Sequence, residues 1–174
     1  MLRKIAIFGL ILTLQACQST PAYWDTVSEV QLDRYLGKWF VIASRPTLFE
    51  KNAFNASENL SRDPSTGKIS IDFLYNKGAL DGPLKSFLQT AYVADLKTNA
   101  HWKISLWFLP FDLDYLIIAL DLDYQWTVVG VPNQNYIWVM SRDTSMSEAK
   151  LEEILSLVRL KGYNTKDIQR IKHG

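Results

Sequence analysis

Eight short segments rich in β-branched and aromatic residues follow one another from Trp39 to Ser141, separated by turn-forming clusters at a spacing of roughly ten residues. They run over 39–44, 54–60, 69–75, 87–94, 102–108, 115–120, 125–131 and 136–141. The punctuation between them is explicit: Asp63-Pro64-Ser65-Thr66-Gly67, Asp81-Gly82-Pro83, Lys97-Thr98-Asn99-Ala100, Leu109-Pro110-Phe111-Asp112 and Pro132-Asn133-Gln134-Asn135. This pattern predicts an all-β barrel or sandwich. After Arg142 the period changes from two to 3.6, because Leu151, Ile154, Leu155 and Val158 share one stripe between Ser147 and Lys161. One amphipathic helix is therefore expected, with Ser145 and Glu148 as its capping box and Gly162 as its C′ glycine. Its apolar stripe needs a surface, and the outer wall of the β unit supplies one.

Composition bounds the function. The chain has 174 residues, of which 48% are hydrophobic, so one domain can bury a substantial core. Lys and Arg total 19 against 18 for Asp and Glu, which leaves no excess charge to draw the protein to a nucleic acid backbone. Cys17 is the single cysteine, so neither an intramolecular disulfide nor a cysteine zinc cluster can form.

Arg3 and Lys4 precede an apolar run from Ile5 to Leu14, the layout of a secretory signal peptide and about half the length a membrane span needs. The run ends Leu14-Gln15-Ala16-Cys17, which resembles the lipobox of bacterial lipoproteins, although Gln15 is a less usual occupant and Ala16 alone could serve a conventional cleavage site. The expected division is a cleaved signal over 1–16, lipidated Cys17 and a tether over 17–29, and a domain over 30–174. Removal of the signal takes two bases and no acid, leaving 17 bases against 18 acids and a formal charge of −1. Gln18 in place of Asp resembles the sorting pattern that favours the outer membrane, with the domain facing the periplasm.

Gly37-Lys38-Trp39 resembles the G-x-W signature that opens the first strand of lipocalins. Asp121-Leu122-Asp123-Tyr124 resembles the second motif of that family, and Arg142 at the end of the eighth segment its third. The wording around them, with the lipobox, is most similar to the lipocalins that are bacterial outer-membrane lipoproteins. The chain departs at Leu122, where Thr is commoner, and in the second segment, where Glu58 and Asn59 replace apolar residues. The resemblance implies an eight-stranded up-and-down antiparallel barrel, open at one end, that holds a lipophilic ligand. It also implies structural roles for Gly37, Trp39, Asp123 and Arg142, with Arg142 stacked across Trp39 at the closed end.

Alternation, extended along each segment, gives an inward lining of Val41, Ala43, Ala56, Ile71, Phe73, Ala91, Ile104, Leu106, Ile117, Ala119, Val128, Tyr136 and Trp138. Tyr136 and Trp138 carry large apolar surfaces with polar tips, and Arg45 and Lys85 near the rim are the candidate headgroup cations. Each has a plainer reading, as aromatic core for the first two and solvated charge for the others. Asp112, Asp114, Asp121 and Asp123 lack calcium-loop spacing, and His101 and His173 lack metal-ligand spacing, so neither metal nor cofactor is expected. No G-x-S-x-G elbow occurs. The expected function is membrane-anchored binding of a fatty acid or lysophospholipid for storage or transport. A lipid-modifying enzyme and a dry-barrel envelope lipoprotein are the rivals. A homodimer is left open.

Overall fold

The computed structural model describes residues 22–174; Cys17 and the signal segment lie outside the described residues. Eight antiparallel strands close into one barrel: β1 (Gly37–Arg45), β2 (Ala53–Arg62), β3 (Ile69–Lys77), β4 (Leu84–Val93), β5 (His101–Ser105), β6 (Leu113–Leu120), β7 (Trp126–Gly130) and β8 (Ile137–Ser141). Each pairs with its neighbour in sequence, and β1 pairs with both β2 and β8, which closes the ring. A four-residue helix α1 (Leu32–Tyr35) precedes β1, helix α2 (Glu148–Leu160) follows β8, and the two-residue β9 (Gln169–Arg170) lies outside against β1. The all-β barrel and its following helix are thus as the pattern implied. Helix α1, β9 and a single 3-10 turn at Leu48–Glu50 are too short to show a period, so only the structure reveals them.

Two apolar clusters divide the core. Inside the barrel lie Trp39, Val41, Leu60, Ile71, Phe73, Trp102, Tyr115, Ile117 and Met140. On its outer wall, Leu151, Ile154, Leu155 and Val158 of α2 cover Leu116, Ile118, Ile137 and Val139. Three residues expected inside, Ala43, Ala119 and Val128, belong instead to this outer cluster. For Ala43 and Ala119 the reason is a pair of bulges. In β1, Val41 pairs with Met140 and Ala43 with Val139, so Ile42 is an extra residue; in β6, Ile117 pairs with Val129 and Ala119 with Val128, so Ile118 is extra. One inserted residue reverses the parity of the remainder of its strand. On β7 it is Thr127 and Val129 that face inward, and Val128 that meets the helix. The small residues Ala43 and Ala119 therefore make room for α2 rather than for a ligand.

The helix start also differs from expectation. Ser147 is the N-cap, its hydroxyl accepting the Lys150 amide at 3.2 Å, whereas the Ser145 amide donates to the Asp143 carboxylate at 3.2 Å. Gly162, at φ +87°, does end the helix. A capping box forms where none was expected, at the 3-10 turn, between Thr47 and Glu50.

The closed end is organised by Arg142. Its guanidinium lies 3.6 Å from the centre of the Trp39 ring, Nη2 donates to the Arg34, Tyr35 and Leu36 carbonyls of α1 and its C-cap, and Nη1 donates to Lys38 O at 2.7 Å. Gly37 at φ +91° lets the chain turn from α1 into β1 beside that side chain. At the opposite end the C-terminal segment is stitched into the wall. The pairing of β1 with β2 spans only residues 37–40 of β1, and beyond it the Ile171 amide donates to Ile42 O at 2.9 Å while the Asn55 amide donates to Lys172 O at 2.9 Å. Ile171 thereby packs against the inner cluster.

Arg142→Lys keeps the charge and loses the planar fork over Trp39. It is expected to cost about 2–4 kcal/mol in urea unfolding, because the carbonyls of α1 and its C-cap, two of them part-buried, lose their donors. Arg159→Lys on the exposed face of α2 serves as control and is expected to stay within about 0.5 kcal/mol.

Candidate ligand site in the barrel interior

The barrel interior has two storeys. The lower one is built by the aromatic residues nearest the closed end: Trp102 stacks on Tyr115 with ring centres 5.2 Å apart, and Tyr35 meets the Trp102 ring edge-on at 5.4 Å. Their polar tips are tied off, Trp39 Nε1 to Tyr35 O and Trp102 Nε1 to Asn99 O, each at 2.8 Å. The upper storey holds Phe73 and Ile104, with the half-buried Tyr75, Phe87, Leu106 and Trp138 against them. Phe73 and Tyr75 tilt together at 5.4 Å, and Tyr136 and Trp138 at 6.1 Å. These residues reach the interior because β3 alternates strictly from Ile69 to Phe73 and because β8 presents Trp138 and Met140 inward while Ile137 and Val139 face α2.

A polar chain crosses the lower storey. Glu58, between inward-facing Ala56 and Leu60 on β2, is 7% exposed and accepts the Tyr115 hydroxyl on Oε2 at 3.3 Å. Tyr115 and Tyr35 share a hydroxyl contact of 3.3 Å, Tyr35 reaches Thr127 at 3.4 Å, and Thr127 donates to Ala119 O at 3.1 Å. Burial, reinforced by the nearby Glu50 charge, pushes the Glu58 carboxyl up to about 8. Burial likewise raises Glu50, which closes over the upper storey from the 3-10 turn; its carboxylate accepts Trp138 Nε1 at 3.2 Å and the Thr47 amide at 2.8 Å.

The structure does not bring all of the expected site residues together. Ile71, Phe73, Ile104 and Ile117 are in the inner cluster, and Leu106 and Trp138 pack against it. Tyr136 sits half-buried just before β8, its carbonyl accepting the Tyr163 hydroxyl at 2.7 Å. Ala43 and Val128 lie behind the wall, in the cluster under α2. Arg45 is committed elsewhere: its guanidinium donates to the carbonyls of Gln134, Asn135, Asn164 and Lys166, clamping the β7–β8 loop to the chain after α2. Lys85 pairs with Tyr75 across β3 and β4 and is exposed, so it remains the rim cation on an inward-parity position. In the second motif Asp123 is exposed, and Asp121 organises the turn by accepting the amides of Asp123 and Gln125.

Glu58, Glu50, Tyr115 and Thr127 are site residues that the sequence pattern does not single out. For Glu58 a signal exists, since it stands two residues from Ala56 and two from Leu60, on the inward parity of its strand. For Glu50 there is none, because a single helical turn carries no period. Around the open end Leu48, Trp107 and Phe111 are solvent-exposed, Trp107 by 89%. Two open clefts on the molecule lie elsewhere, one lined by the β2–β3 hairpin and Thr90, the other between Ala43 and α2. Among the described residues no three His, Asp or Glu side chains gather as metal ligands.

Between pH about 4.3, where an unfolded glutamate ionises, and about 8, the folded protein holds a proton on Glu58 that the unfolded chain has released. Stability therefore falls as pH rises through that window. Glu58→Gln is expected to unfold at a temperature several degrees above the native protein at pH 8.5, with the gap closing toward pH 5. A gap that is equal at both pH values would mean that Glu58 is not held neutral.

The family model for the lipocalin-like domain matches residues 30–173. The chain is 28% identical to the outer membrane lipoprotein Blc of Vibrio cholerae over 167 residues, 94% of this chain and 95% of that protein. It is 31% identical to Blc of Escherichia coli K12 over 151 residues, 86% and 84% of the two chains, and 26% identical to temperature-induced lipocalin-1 of Arabidopsis thaliana over 84% and 81%. Among solved structures, insecticyanin from the tobacco hornworm Manduca sexta superposes with a TM-score of 0.69 at 14% identity, covering 89% of this chain and 88% of that one. The cockroach allergen Per a 4 superposes at 0.65 and 15% identity, covering 90% and 97%.

Proposed function

The chain belongs to the lipocalin family, and from that premise we propose that it is an envelope lipoprotein that binds a fatty acid or lysophospholipid in its barrel and stores or carries it at the outer membrane. The observation that carries the reading is the upper storey. Tyr75, Phe87, Leu106 and Trp138 line the inside of the wall near the open end beside buried Phe73 yet are incompletely covered by protein, so an acyl chain can complete their burial. Apolar burial contributes about 25 cal/mol per Å², enough to hold a single chain without any covalent step. A carboxylate or phosphate head would stay outside, near Lys85, away from Glu50 and Glu58.

Binding fits the site better than turnover. His101 is engaged with Asp114 on the outer wall at 2.7 Å, and His173 with Val41 O in the C-terminal segment at 2.8 Å, so neither histidine faces the interior as a general base. Relatives named as outer membrane lipoproteins support attachment at that membrane, and Cys17 is the residue that would carry the lipid.

All described elements lie within 22–174, so a chain of residues 18–174 is the soluble form for assay. Stripped of lipid and titrated with hexadecanoate or a lysophospholipid, it is expected to saturate near one ligand per chain with a change in tryptophan emission that Trp138→Phe largely removes. No saturation by calorimetry with either lipid would overturn the reading in favour of a dry barrel. In cells, Cys17→Ser is expected to move the protein from the membrane to the soluble fraction, and its retention in the membrane would place the attachment elsewhere.

A further inference from the structure

A carboxyl group at the bottom of a lipid-binding barrel is a mismatch for the methyl end of an ordinary acyl chain. Glu58 points into the lower storey, directly across from Trp39 on β1 and Phe73 on β3, and is 7% exposed. Only Oε2 is engaged, by the Tyr115 hydroxyl. No second hydrogen bond to this carboxyl, at Oε1, is formed among the described residues. No Lys or Arg among the described residues forms an ion pair with it. The second carboxylate of the interior, Glu50, stands above it and disfavours any anion at this depth.

We propose that the lower storey is a subsite for an uncharged oxygen, a hydroxyl or a carbonyl, borne at the far end of the ligand's chain, with Glu58 Oε1 as its hydrogen-bond partner. The proposal rests on the barrel-binding reading above and narrows it: the preferred ligand is an acyl chain oxygenated at or near its tail. Three features of the floor fit such a group. Tyr115 holds Glu58 through one oxygen and leaves the other without a protein partner, so the carboxyl is already fixed in place. The Tyr35 and Thr127 hydroxyls continue the chain behind Tyr115, so its hydroxyl keeps polar neighbours when the floor is covered. Burial keeps Glu58 protonated at neutral pH, so it can donate to a carbonyl as well as to a hydroxyl. A saturated chain of the same length would cover Oε1 with hydrocarbon and leave it unpaired.

The test compares two probes that differ by one atom, hexadecanoate and 16-hydroxyhexadecanoate, titrated into the delipidated 18–174 chain at pH 7. The hydroxylated acid is expected to bind about tenfold more tightly, the difference one buried hydrogen bond makes. Glu58→Gln keeps a donor and should retain most of that preference. Glu58→Met should abolish or reverse it by improving the affinity for hexadecanoate. Equal affinities in the native protein, or a preference that survives in Glu58→Met, overturns the subsite while leaving lipid binding intact. Failure of both acids to saturate overturns the barrel-binding reading and the subsite with it. The comparison within the native protein needs no variant, so poor folding of Glu58→Met does not shield the proposal.

Discussion

Arg142 is the contact on which the closed end of the barrel depends. A short helix laid across a barrel mouth leaves its last carbonyls without partners, and here one planar cation satisfies those of Arg34, Tyr35 and Leu36 while its face covers Trp39. A lysine could supply charge but not the fork and the flat face together. With α1 fixed in this way, Tyr35 is driven into the barrel, where it bridges Tyr115 and Thr127 and defines how deep the interior can be. The closure of the fold and the floor of the candidate site are therefore one construction.

The rest of the wall is held from outside. Helix α2 packs its stripe over β6, β7 and β8, and the segment after it is locked by Tyr163, whose hydroxyl accepts the Val131 amide at 2.8 Å and donates to Tyr136 O at 2.7 Å. Gly130 is required for that approach, since a Cβ there would lie 2.6 Å from the Tyr163 hydroxyl oxygen. Arg45 completes the clamp by holding carbonyls on both the β7–β8 loop and the chain after α2. The rim beside Trp138 is thus shaped by side chains that never enter the barrel, which is why Arg45, an attractive headgroup cation by position, has four of its five N–H donors committed to backbone carbonyls.

The architecture is legible in the sequence where periodicity is long. Strand β3 alternates cleanly, α2 shows its stripe, and Gly37, Trp39 and Arg142 occupy the positions that mark the family. Features that depend on single inserted residues are not legible. The bulges at Ile42 and Ile118 carry no sequence signal, because both neighbours are apolar and either parity fits; they displace Ala43 and Ala119 to the outer wall, while Val128 sits there because the apolar run of β7 fits either parity. Short elements escape for the same reason, and with the 3-10 turn goes Glu50. Glu58 is different in kind: its parity is readable, but a charged residue on an inward position reads as a weakness of the strand until the structure shows what meets it.

Placing Glu58 inside the barrel costs stability, because the carboxyl must be kept protonated far above its ordinary range, and apolar Ala56 and Leu60 on either side show that the strand otherwise follows the rule for a packed interior. A leucine in its place would bury without penalty. Where one residue breaks a local rule that Ala56 and Leu60 obey, and is met by a hydroxyl aligned to hold it, it is a candidate for function rather than for packing. Trp138, held by Glu50, and Glu58, held by Tyr115, are the two carboxyl contacts that the proposed acyl chain would meet in an otherwise mainly aromatic and aliphatic interior.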